Sequence, residues 1–577
     1  MKKLLCTLAI STLCIANSLA TTRLVNNADG FRDAVLKSVK GDTVRLTADI
    51  DLTGYTMPED FIFSGVIDGS KVTNGDTVCH IIRKSRGKDG IKDADNSPLF
   101  ETVENATFQN VCIYNFRVER DNLLFGNDYL GAIARTAKNT KFRNIIFSDI
   151  SVFSNDDYAG AVAGYATGCT FYNVNCLYCD VTVDGDHAGG LVGKSEKCEY
   201  TSCMNNALSR VFADGSNPNA YAGGITGESK NDIFSNCVNL ALIGAKDDRV
   251  GGISGYSTNT TFSMCINSGY ILQVDSEKSF NAVVTQFRDN LNTFNENYNE
   301  NLAKYKDQLN DYYDTLDEYT TILRWSMFGT LTAWMVTGMV AIAITNPVTF
   351  AAAVVATVVM VAVWAIEGVV FNFSAHDELG GICGAGRGLT FDCCANYGGC
   401  YSRDQYVGGI IGLEERPDMS YEYSEFKNCL NAGEISGYTD VGGIAGKTSN
   451  GATFSNCLSA GDITGRKGYH KICSTGTKTN CYYRSVFYST KINNETGVTD
   501  EQLESGQVAY WLNGGSISAN APWRQTIGAD KYPKPDTMSD IITPDSFGNR
   551  VIINSANDLK ALADSVNNAR NQSSYIV

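Results

Sequence analysis

The pentapeptide Gly-Gly-aliphatic-x-Gly occurs six times in this chain, beginning at Gly189, Gly223, Gly251, Gly380, Gly408 and Gly442. Degenerate copies begin at Gly131 and Gly160. The glycines that carry it are Gly189, Gly190 and Gly193, then Gly223, Gly224 and Gly227, then Gly251, Gly252 and Gly255. Further along they are Gly380, Gly381 and Gly384, then Gly408, Gly409 and Gly412, then Gly442, Gly443 and Gly446. Successive starts, counted from Gly131, lie 29, 29, 34, 28, 129, 28 and 34 residues apart. The value 129 is one period plus an insertion of about 100 residues. A unit this short cannot bury its own apolar face, so the copies must stack into one shared core.

The unit is written in strands. Alternation such as Ile253-Ser254-Gly255-Tyr256 follows the glycine corner, and a polar turn leads to an aromatic-x-x-Cys step. That step runs Phe234 to Cys237, Phe262 to Cys265, Phe391 to Cys394, Phe426 to Cys429 and Phe454 to Cys457. Short runs of Val, Ile, Phe and Tyr broken by Asn, Gly and Asp are strand-and-turn patterning. The expected fold is therefore mainly β, a parallel β-helix (solenoid) whose coils stack at the spacing of neighbouring strands, ~4.8 Å.

Fourteen places after the first glycine stand Ile145, Val174, Cys203, Cys237, Cys265 and Cys394, with Cys457 one place later. Ile, Val and Cys sharing one position mark an inward column, where cysteine serves as a small hydrophobe. The expected buried thiol column is thus Cys203, Cys237, Cys265, Cys394 and Cys457. Off that column, Cys176 with Cys179, Cys383, Cys393 and Cys400 are the better disulfide candidates if the chain is exported. Three places before the glycines, Asp128, Asp157, Asp186, Asp248 and Asp377 recur. Aspartate at such a place caps turn N–H groups; calcium bridging is the one cofactor role left open, since hard cations take clustered carboxylates. No other metal or cofactor is expected.

The repeated Gly-Gly-Leu/Ile-x-Gly unit resembles the GLUG-motif repeats of bacterial exported and surface proteins, over residues 120–275 and 376–485. The resemblance implies a right-handed parallel β-helix with an adhesin-like or architectural role and no catalytic residues in the repeat. Glu501 to Pro535 resembles the block that often follows such repeats in exported bacterial proteins.

Met1-Lys2-Lys3, an apolar run from Leu4 to Ile15, and Ser18-Leu19-Ala20 read as a secretory signal over residues 1–20. Residues 21–119 supply an N-terminal cap and the first coils, with a short amphipathic helix near Gly30 to Lys37. GLUG-type repeats fill 120–275 and continue over 376–495. Residues 496–549 form the post-repeat segment. Residues 550–577 repeat the opening pattern, as the start of a second, truncated module. Net charge is −16, which argues against a nucleic-acid partner.

The insertion, 276–375, changes to helical spacing. Phe280, Val284, Phe287, Leu291, Phe294 and Tyr298 open an amphipathic stripe that runs to Leu323 (280–323). An uncharged stretch follows, divided by Asn346-Pro347 into two spans long enough to cross a bilayer. The expectation is an inserted α-helical hairpin or bundle, with a hydrophobic hairpin at 325–370 that enters a membrane or packs as a greasy bundle.

Function follows from surface chemistry. The leading expectation is a non-enzymatic, exported, cell-surface protein that binds glycan or protein through the lateral face of the β-helix. Tyr158, Tyr221, Tyr256, Tyr406 and Tyr438 are candidates to stack on sugars, or on one another from coil to coil. The alternatives are a membrane-anchored or membrane-inserting effector and, less favoured, a carbohydrate-active enzyme. Neither Asn-Thr-Asp nor Gly-His-Gly occurs, and His80, His187, His376 and His470 have no nucleophile motif beside them. No catalytic residue is named.

Overall fold

The computed structural model describes residues 20–289 and 377–535, except 59, 74–75, 85–95, 121–128, 156–157, 216–219, 247, 275, 403, 416–421, 486–490, 493–494 and 517–520. Residues 1–19 of the stretch read as a signal, residues 290–323 of the expected amphipathic stripe, the expected hairpin 325–370, His376 and the stretch 550–577 lie outside the described residues, as do Asp128 and Asp157 of the aspartate column.

The described chain is mainly β, and each repeat lays short strands into three parallel sheets. One sheet holds strands such as Tyr158–Gly160, His187–Gly189, Tyr221–Gly223 and Asp248–Gly251. The glycine corner follows at once, and the second sheet begins with Ala163–Thr167, Val192–Glu196, Thr226–Lys230 and Ser254–Thr258. The third and largest carries the aromatic-x-x-Cys segments, as in Ile233–Ser235, Thr261–Ser263 and Thr390–Asp392. Register is held by residue type: Gly189 pairs with Gly223, Phe234 with Phe262, and Phe262 with Phe391.

One motif copy shows why glycine is needed. A Cβ on Gly189 would lie 1.8 Å from the Val192 carbonyl oxygen, one on Gly190 2.0 Å from that of Gly224, and one on Gly193 2.6 Å from the Ala159 amide nitrogen. The chain turns so sharply that backbone meets backbone, leaving no room for a side chain.

Inside, columns of like residues stack. Phe108, Phe142, Phe171, Tyr200, Phe234, Phe262, Phe391, Phe426 and Phe454 follow one another with ring centroids 4.5–5.5 Å apart. Beside them the buried thiols donate to carbonyl oxygens of that column one coil back: Cys203 to Phe171 at 3.6 Å, Cys237 to Tyr200 at 3.6 Å, Cys265 to Phe234 at 3.7 Å and Cys394 to Phe262 at 3.4 Å. Cys429, Cys457 and Cys481 continue the series toward Phe391, Phe426 and Phe454. All seventeen cysteines from Cys79 onward are free thiols. That corrects the disulfide expectation for Cys176, Cys179, Cys383, Cys393 and Cys400, which pack as core or turn residues. Burial pushes Cys203, Cys265 and Cys429 well above the ordinary thiol range.

A third column is polar. Asn239 donates to Asn267, Asn267 to Asn396, and Asn396 to Asn431, each at 2.8 Å and all fully buried. Each amide also donates to a backbone carbonyl two residues on, so the buried polar groups support one another.

The stack crosses the insertion without a gap: Asp248 to Gly251 pair with Asp377 to Gly380, and Cys265 and Cys394 are neighbours in the thiol column. Residues 277–289 are helical and place Phe280, Val283, Val284 and Phe287 against Met204, Phe212, Val238 and Leu272 on the outside of the large sheet. Among the described residues no helix is long and apolar enough to cross a membrane. The N-terminal helix Ala28–Leu36, capped by the Asn27 side chain, buries Phe31 and Val35 over the first coil. At the far end Asp500–Glu504 and Gln507–Leu512 bury Leu503, Val508 and Leu512 against Ala395, Leu430 and Leu458.

Candidate functional site

The sharp glycine corner turns the outward faces of the first two sheets toward each other. The first sheet presents Tyr129, Tyr158, His187, Tyr221 and Arg249 on successive coils, each one residue ahead of an inward Leu, Ala or Val. The second presents Tyr165, Lys194, Glu228 and Tyr256. Aromatic contacts run along the first column: Tyr129 and Tyr158 are tilted with centroids 5.1 Å apart, Tyr158 stacks on His187 at 4.6 Å, and His187 meets Tyr221 edge-on at 4.5 Å.

Side chains of the two sheets meet across the corner. Tyr129 stacks on Tyr165 at 5.3 Å and Tyr221 on Tyr256 at 5.1 Å. The Lys194 ammonium lies 5.2 Å from the Tyr158 ring centre. Glu228 takes both His187 Nε2, at 3.2 Å, and Lys194 Nζ, at 2.7 Å. Burial opposes ionisation of Glu228, but hydrogen bonds from His187 and Lys194 prevail and draw its carboxyl down to about 2. The Arg249 guanidinium lies over Tyr221 and Tyr256 at 5.0 and 4.7 Å, donates to Tyr221 Oη at 2.6 Å, and pairs with Glu415 at 2.7 Å and Glu378 at 3.5 Å. Glu415 also accepts from Tyr256 Oη at 2.8 Å. Burial pushes Tyr221 up to about 12.

The arrangement is a strip of aromatic rings that pack on one another from coil to coil, with paired charges between them; His187 and Tyr221 are buried within it, while Tyr129, Tyr158, Tyr165 and Tyr256 are half-buried. Of the tyrosines named from sequence, Tyr158, Tyr221 and Tyr256 meet in this strip. Tyr406 and Tyr438 lie farther along, under Lys447 at 5.1 Å and Lys467 at 4.6 Å. His187, Glu228, Arg249 and Glu415 had no signal of their own in sequence; what locates them is their offset from the glycine pairs once the coil register is known.

A polar cavity of about 280 Å³ lies on the large sheet at the edge of helix 277–289, lined by Arg117, Glu119, Phe153, Asp180, Thr182 and Arg210 among others. Its charges are paired within it, Arg117 with Glu119 at 2.9 Å and Arg210 with Asp180 and Glu277 at 3.5 Å. Among the described residues no group of three or more His, Cys, Asp or Glu side chains is placed to hold a metal ion.

No family model matches the chain, and no curated protein matches it. Among solved structures, a candidate immunoglobulin A1 protease from Bacteroides ovatus is similar at 18% identity and TM-score 0.32, over 45% of this chain and 79% of its own. An IgA1 protease is similar at 12% identity and TM-score 0.30, over 91% of this chain and 26% of its own. This chain thus spans about a quarter of the length of the second protein, and likeness at this level transfers no activity.

Proposed function

We propose that this is an exported, non-enzymatic surface protein of the GLUG-repeat type, a right-handed parallel β-helix that binds glycan or protein through its lateral face. The observation that carries the reading is the outward strip from Tyr129 to Arg249, where aromatic rings recur coil after coil with charged groups set between them. The half-buried Tyr129, Tyr158 and Tyr256 leave ring edges at the surface, and the polar groups beside them offer directional hydrogen bonds, a combination that can hold a sugar or a peptide edge-on. The unbroken stack across the insertion supports a long, continuous face.

The test is binding of the full chain to immobilised mucin, deglycosylated mucin, and a panel of neutral and acidic polysaccharides. Binding to at least one surface is expected, with loss in Tyr129→Ala/Tyr158→Ala. A chain that binds none of them, or whose binding to every one of them is unchanged without those rings, defeats the reading.

A further inference from the structure

The same side of the molecule changes character at its downstream end. Residues 466–471, Arg-Lys-Gly-Tyr-His-Lys, carry three cations and no carboxylate in a chain of net charge −16. Arg466, Lys467, Tyr469 and His470 are exposed, with Tyr469 at 44%. Three tyrosines stand beneath lysine ammonium groups here: Tyr406 under Lys447 at 5.1 Å, Tyr438 under Lys467 at 4.6 Å, and Tyr469 under Lys471 at 4.5 Å. Successive coils set these pairs side by side, since the Tyr438 carbonyl accepts from the Lys467 amide at 2.8 Å and Val441 pairs with Tyr469. Upstream, Lys194 and Arg249 are neutralised by Glu228, Glu378 and Glu415. Downstream, Lys447 has Asp440 at 3.6 Å, while among the described residues Arg466, Lys467 and Lys471 form no ion pair.

We infer that this patch is the docking site for an acidic polysaccharide, one whose pyranose rings bear carboxylate or sulfate groups. The inference rests on the proposed glycan-binding function and adds to the upstream strip a second place on the same lateral face, with its own ligand charge. A tyrosine ring gives the apolar face of a sugar something to lie on, and an adjacent ammonium pairs with the sugar's anion. Coil spacing of ~4.8 Å sets neighbouring cations at intervals of the order of one sugar ring. The high negative charge elsewhere opposes a long nucleic acid, whose phosphates extend well past the patch.

The experiment measures binding of the full chain to an oligogalacturonate of defined length by calorimetry. Comparison ligands are a maltooligosaccharide of equal length, a single-stranded DNA of equal charge, and phosphatidylglycerol-containing vesicles. Variants are Arg466→Ala/Lys467→Ala/Lys471→Ala and Tyr438→Ala/Tyr469→Ala, each confirmed folded by its melting curve. The expected result is oligogalacturonate binding that weakens about tenfold or more in both variants. The charge variant alone should also lose salt dependence. DNA or vesicles bound as well as the oligosaccharide, with no effect of the tyrosines, overturn the inference in favour of general polyanion attraction. Unchanged binding with new self-association of the charge variant also overturns it, because the cations then only guard the last strand of the sheet. If oligogalacturonate binding is lost in Tyr129→Ala/Tyr158→Ala but kept in both patch variants, the patch assignment fails while the proposed function stands. Absence of binding to every glycan and protein surface defeats both.

Discussion

At the scale of single residues, the fold depends on places where only one side chain fits. Gly224 is one: a Cβ there would lie 2.0 Å from the Gly252 carbonyl oxygen and 2.5 Å from Asn239 Oδ1. Gly224→Ala is therefore expected to cost about 3 kcal/mol or more, read as a lower midpoint in denaturant, because neither neighbour is the free end of a flexible chain. Asp232 is a different kind of constraint. It is 1% exposed, accepts from the Cys198 amide at 2.7 Å and is bonded by the Ser195 hydroxyl. Burial outweighs those bonds and pushes its carboxyl from 3.8 up to about 7. The folded state therefore holds a proton that the unfolded state has released between about pH 4 and pH 7, so stability falls as pH rises through that window and levels off above it. Asp232→Asn, neutral at every pH, should exceed the parent by roughly 2–4 kcal/mol at pH 8 and match it near pH 4. Equal melting curves at pH 8 would show that the carboxylate is better satisfied than its burial implies.

At the scale of elements, stability comes from columns and from the pieces that cover them. Phe280 on helix 277–289 stacks on Phe212 at 5.0 Å and seals an outward apolar face of the large sheet. Phe280→Ala should cost about 3–4 kcal/mol and expose the 277–289 stretch to protease before the coils unfold; cleavage rates unchanged from the parent would refute the docking. In the asparagine column, Asn267→Ala removes bonds to both neighbours and leaves Asn396 Oδ1 without its donor, an expected loss of about 2–3 kcal/mol by calorimetry. The thiol column was legible from sequence and the asparagine column was not. Cysteine sharing a position with Ile145 and Val174 already points inward. Asparagine is the usual residue of turns, such as Asn236 and Asn456 at positive φ, so Asn239 and Asn267 read as more turn until the register is known. Cys429 escaped the fourteen-residue rule because the coil from Gly408 carries extra residues before Phe426; counting from the aromatic ring finds it. Cys481 lies three places after Lys478, where the aromatic ring itself is missing.

At the scale of the whole molecule, repeat length and strand patterning sufficed for a mainly β chain of parallel sheets. The charged half of the lateral strip was hidden for a reason of distance. Arg249 and Glu415 are 166 residues apart in sequence, and nothing local to either marks the other. The insertion shows the same separation of sequence from space. Its flanking coils are direct neighbours, Gly251 on Gly380 and Phe262 on Phe391, so the stack does not need the intervening chain to set its register. Helix 277–289 is needed, since it covers Phe212 and Leu272. Replacing residues 290–375 by a short Gly-Ser linker should therefore leave a single cooperative transition with a midpoint near the parent's. Removing 277–289 as well should lower the midpoint by exposing the apolar face of the large sheet. Two separate transitions in the first variant would mean that the coils before and after the insertion are held together by the insertion rather than by their shared columns, and the continuous lateral face proposed for ligand binding would fail with them.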